Sequence, residues 1–131
     1  PVWTSRVHAI NVAPFVVVGH HLYGLGPSRR LICVDARTGE RAWWRDQFTG
    51  APLRNDWAGI LVAEDRLLVL AGNGRLLLAA ADPADFRLLG GPIEVCNANW
   101  CLPAWDGRHL YIRDENSLRA IELPTSPPST P

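Results

Sequence analysis

The chain contains no methionine, all thirteen of its basic residues are arginine, and only three of its 131 residues are cysteine. A translation product begins with Met, whereas this sequence opens on Pro1, so it reads as a processed product or a piece of a longer chain. With the start missing, the lack of a charged-then-apolar leader carries no information. No apolar run approaches the ~20 residues that a membrane-spanning helix requires. The longest, such as Leu76 to Ala81, are of strand length. Net charge is lacking too, because the thirteen arginines are balanced by thirteen Asp and Glu. That balance removes the electrostatic reason to expect nucleic acid or an anionic membrane as partner. The arginines are scattered, with Arg29-Arg30 the only adjacent pair. Their exclusive use reads as a GC-rich genome rather than a phosphate-binding face.

Three cysteines do not make a disulfide framework. Cys96 and Cys101, with four residues between them, permit a disulfide across a tight loop without requiring one; otherwise both are thiols. No second Cys/His pair stands at zinc-ligand spacing.

Catalytic signatures are missing as well. The sequence has no G-x-S-x-G elbow, no H-E-x-x-H and no Gly-rich phosphate loop between a strand and a helix. Gly72-Asn73-Gly74 belongs to a hairpin. Of the histidines, His8, His20, His21 and His109, the adjacent pair lies in a turn where neighbouring side chains point apart, which is poor for joint coordination. Asp56, Glu64 and Asp65 read as solvated loop-end carboxylates. Trp57, Trp100 and Trp105 read as core or inter-sheet packing rather than a stacking surface.

What is present is a repeating β pattern in a chain that is 47% hydrophobic and 20% charged, a composition that supports a packed core. Phe15–Val18 and Leu22–Leu25 flank a turn at Gly19-His20. Ile60–Ala63 and Leu67–Leu70 flank Glu64-Asp65-Arg66, and Leu102–Trp105 and His109–Ile112 flank Asp106-Gly107. A third strand follows each pair: Leu31–Asp35, Leu78–Asp82 and Leu118–Glu122. Leu22, Leu67 and Leu110 are 45 and 43 residues apart, and Leu31, Leu78 and Leu118 are 47 and 40 apart. Units of that length with up to four strands predict β-propeller blades. Twenty-two Gly and Pro residues, with no sustained 3.6-residue period, argue against helices. Asn73-Gly74 and Asp106-Gly107 predict two-residue type I′ turns. In Asp35–Glu40 the Asp carboxylate is placed to accept turn N–H groups, and Gly39 can take the left-handed position.

The run Cys33-Val34-Asp35-Ala36-Arg37-Thr38-Gly39-Glu40-Arg41-Ala42-Trp43 resembles the tryptophan-docking motif A-x-D-x-x-T-G-x-x-x-W of pyrroloquinoline-quinone (PQQ)-type propeller repeats, departing only at Cys33. Asp106-Gly107 with Tyr111 is similar to a hairpin common in those repeats. The resemblance spans about residues 9 to 123 and implies that Trp43 packs between neighbouring blades, with Asp35, Thr38 and Gly39 as structural motif residues.

The expected fold is therefore all-β, with about three blades of four-stranded antiparallel sheet in an open or incomplete ring. Residues 1–8 would form the outer strand of a preceding blade. Blades follow at 9–50 and 51–96, then an incomplete one at 97–123, and a Pro-rich disordered tail at 124–131. The functional expectation is a non-catalytic scaffold or protein-interaction module, bacterial and periplasmic or envelope-associated, with no cofactor. Its partners would be missing blades of the parent propeller, further copies of itself or other envelope proteins, and not nucleic acid. The alternative is part of a PQQ-dependent alcohol dehydrogenase, with PQQ and calcium as cofactors. The adjacent cysteines and identifiable carboxylate base often found in those enzymes are missing from this sequence.

Overall fold

The computed structural model describes residues 1–7, 13–53, 55–98 and 101–122. Its regular structure is all-β apart from a single 3-10 turn at Pro27–Arg29. The first sheet runs in the order β1 (Val16–Val18), β2 (His21–Gly26), β3 (Arg30–Asp35), β4 (Arg41–Arg45). The second runs β5 (Ala58–Ala63), β6 (Arg66–Ala71), β7 (Arg75–Ala80), β8 (Leu88–Glu94). The third holds β9 (Ala104–Trp105), β10 (His109–Arg113) and β11 (Leu118–Glu122). Every pairing is antiparallel between sequence neighbours. These are propeller-type blades, and the described residues close no ring.

Packing explains why the middle unit has the most continuous apolar strands. Leu67, Val69, Leu77 and Ala79 pack with Tyr23, Leu25 and Leu31 of the first sheet. The alternate residues Leu68, Leu70 and Leu76 pack with Leu110 and Ile112 of the third. A sheet covered on both faces needs apolar residues at consecutive positions, unlike one with a wet face. Each fully buried Leu is worth about 1.5–3 kcal/mol, so the second sheet anchors the stack.

Several local expectations are corrected. The Gly72–Gly74 and Asp106–Arg108 connections are three-residue loops, and within them only Gly74 (φ +83°) and Gly107 (φ +96°) are left-handed. Type I′ needs two such residues. Asn73 instead turns its Oδ1 to accept from the Arg75 amide, and Gly74 N–H donates to the Ala71 carbonyl. Arg66 belongs to β6, leaving a two-residue turn of Glu64 and Asp65. The third strand of the second unit is Arg75–Ala80, three residues ahead of the expected start and ending before Asp82. In the third unit only Ala104 and Trp105 pair; Pro103 has no N–H to give a ladder.

Residues 1–7 form no strand. His8, Trp100 and the 124–131 tail lie outside the described residues. No helix among the described residues is long and apolar enough to cross a bilayer.

Candidate functional site

Two indoles join the layers in the same way. Trp43 ends in the interface between the first and second sheets, 7% exposed. Its Nε1–H donates to the Asp82 carbonyl at 2.8 Å, just past the end of β7. Its ring meets Phe86 edge-on at 6.0 Å and Tyr23 at 6.2 Å. Forty residues earlier, Trp3 donates Nε1–H to the Ala36 carbonyl at 2.8 Å, in the corresponding turn of the first unit. Each indole thus caps the connection between the third and fourth strands of a unit, uniting a large apolar area with one directed bond.

The receiving turn is built for this. Asp35 Oδ1 accepts from the Arg37 amide (2.8 Å), its carbonyl accepts from Gly39 N–H (2.8 Å), and Thr38 Oγ1 accepts from the Glu40 amide (3.2 Å). The Arg37 guanidinium and then its amide hold the Asp35 carboxyl down at about 2. Gly39, at φ +79°, lies directly beneath the Trp3 ring. A Cβ there would stand 2.6 Å from the indole, so only glycine fits both backbone and neighbour.

Between the second and third sheets no indole among the described residues performs this role. β8, the counterpart of β4, carries Leu88-Leu89-Gly90-Gly91-Pro92. Gly90 pairs with Leu78 as Trp43 pairs with Cys33, and a groove of about 780 Å³ remains, lined by Leu68, Leu76, Leu78, Ile93, Trp105 and Arg108. The layers are tied at its end by Arg119 donating to the Val95 carbonyl (2.9 Å) and Asn97 N–H to Asp114 (3.0 Å).

Several of the titratable groups are occupied in structure. Asp106 accepts from the amides of His109 (2.6 Å) and Arg108 (2.8 Å) and from the Tyr111 hydroxyl (2.8 Å), which hold its carboxyl far below the usual range. Asp114, bonded to the amides of Asn97, Asn116 and Ser117, is held at about 2. Asp56 bridges Arg29 at 2.9 Å. Burial pushes the Cys33 thiol up to about 11, against Tyr23. Cys96 is half-buried and Cys101 exposed, and their sulfurs are not joined in this structure. His20 is exposed in its turn, while His21 starts β2. Trp57 is buried, and its Nε1–H has no acceptor among the described residues. Among the described residues no three His, Cys, Asp or Glu side chains are grouped to hold a metal ion.

No protein-family model and no curated protein matches the chain. Sequence reasoning passes over two parts of the geometry. Trp3 is read from the sequence only as part of a preceding outer strand, and its docking is found by its bond to Ala36. The groove depends on side chains that β8 lacks, a signal visible only when β4 and β8 are set side by side.

Proposed function

We propose that the chain is a segment of a PQQ-like propeller serving as a non-catalytic scaffold or protein-interaction module of the cell envelope. The observation that carries this reading is the pair of indole contacts, Trp43 to the Asp82 carbonyl and Trp3 to the Ala36 carbonyl. They devote the most specific residues of the chain to stacking sheets. Asp35, Asp106 and Asp114 support it further: their oxygens are engaged by turn amides, and their carboxyls are held well below the range useful to a general base near neutrality. The envelope assignment rests on the likeness of the Cys33–Trp43 run to bacterial repeats of this type. The third sheet, with three strands among the described residues where the others have four, gives further blades or a second copy a surface to complete.

The quinone and calcium of the related dehydrogenases do not fit this donor set. Cys96 and Cys101 are not adjacent, and Asp35, Asp106 and Asp114 are committed to turns. Titration of the full-length protein with PQQ and Ca²⁺, with dye-linked alcohol oxidation as readout, tests the reading. It predicts neither stoichiometric quinone binding nor turnover. Binding with turnover would replace the scaffold by an oxidoreductase.

A further inference from the structure

The outer strand of the first sheet, β4, reads Arg41-Ala42-Trp43-Trp44-Arg45. Among the described residues it has a hydrogen-bonded neighbour, β3, on one side only. Part of its backbone N–H and C=O groups therefore face outward, a template for a further strand. Trp43 points into the second sheet, whereas Trp44 points the other way and stays 39% exposed. The Arg30 guanidinium stacks 3.7 Å from the Trp44 ring centre and Arg41 stands at 5.4 Å. Arg45 lies 5.3 Å from the Phe86 ring. Arg30 also bridges Asp46 at 3.2 Å. Arg41 and Arg45 are exposed, and neither reaches a carboxylate among the described residues.

We propose that this edge binds an extended acidic segment of a partner protein. The segment pairs with the outward backbone of β4 and sets its carboxylates against Arg41 and Arg45, with Trp44 and Arg30 bounding one face. Strand addition supplies affinity through main-chain bonds, and the side chains select the partner. Guanidinium groups held against aromatic rings lose less freedom on pairing with a carboxylate than mobile ones would. Two such edges meeting would set arginine against arginine, which disfavours a second copy. A polypeptide fits better than nucleic acid or lipid, because only a polypeptide backbone matches strand spacing. A net charge of zero also gives the chain no long-range pull on polyanions. The inference is independent of whether the parent protein binds a quinone.

The test is fluorescence anisotropy with the intact chain and a labelled peptide of about eight residues, Glu-Glu and Val-Val in alternation so that carboxylates reach both faces of the added strand. Binding should weaken about tenfold in the Arg41→Glu/Arg45→Glu variant, and at least as much when salt rises from about 0.05 to 0.5 M. Circular dichroism should show the variant folded. On the unaltered chain, a peptide N-methylated at alternate residues should fail to bind, since it cannot form the ladder. Absence of binding, or equal binding of the N-methylated peptide, overturns the proposal. So does equal or tighter binding of a single-stranded oligonucleotide or an anionic phosphatidylglycerol vesicle with the same arginine dependence, which would make the edge a general polyanion site.

Discussion

At the scale of single residues, Gly39 and Asp35 carry opposite kinds of constraint. Gly39 combines a left-handed backbone with the Trp3 ring directly over its Cα. Gly39→Ala should cost about 1–3 kcal/mol in urea unfolding, from backbone strain and the displaced indole together. Wild-type stability in the variant would mean that Trp3 is not seated there. Asp35 acts through charge. Its carboxyl is held at about 2 by Arg37, below the ~3.9 of an unfolded Asp. A depressed folded value contributes stability that is fully present above the unfolded value and lost as pH falls toward the folded one. Stability should therefore decline between about pH 4 and pH 2, and Asp35→Asn should flatten that part of the profile. An unchanged acid limb in the variant would count against the Arg37 contact.

At the scale of elements, the strands are legible in the sequence because apolar runs and turn residues alternate, and the sheets order them as neighbours. Turn geometry is less legible. Asn73-Gly74 has the composition of a type I′ turn, yet the Asn73 side chain bonds the Arg75 amide and lengthens the loop by a residue. Glu64 shows the reverse: a residue with no turn preference takes φ +60° because a two-residue connection demands it. Glu64→Asn should raise stability by about 0.5–1 kcal/mol in chemical denaturation, since Asn tolerates the left-handed region. A loss of stability would mean that the Glu64 side chain makes a contact that matters. Trp43 binds β4 to the turn after β7, and its removal leaves a hole between two sheets. Trp43→Ala should cost about 3–5 kcal/mol, with Trp43→Phe costing less but still losing the bond to Asp82. If Trp43→Ala is near neutral, the first two sheets are not joined at this point.

At the scale of the whole molecule, the chain is a stack of sheets whose faces are filled from next door. The second sheet is covered on both sides, the first receives Trp3, and the third is joined to the second over an unfilled groove. Much of this is beyond sequence reading, because it depends on which residue of one unit reaches which turn of the next. Trp43 can be picked out by its place eight residues after Asp35; Trp3 and the empty counterpart position on β8 cannot. The most direct test of the stack is amide and indole hydrogen exchange by NMR. The indole protons of Trp3 and Trp43 should be protected and Trp43 should show cross-peaks to the Phe86 ring. The half-exposed Trp44 indole should exchange quickly in the same sample. If Trp43 exchanges as fast as Trp44 and shows no contact with Phe86, the sheets are not stacked through these indoles and the account fails.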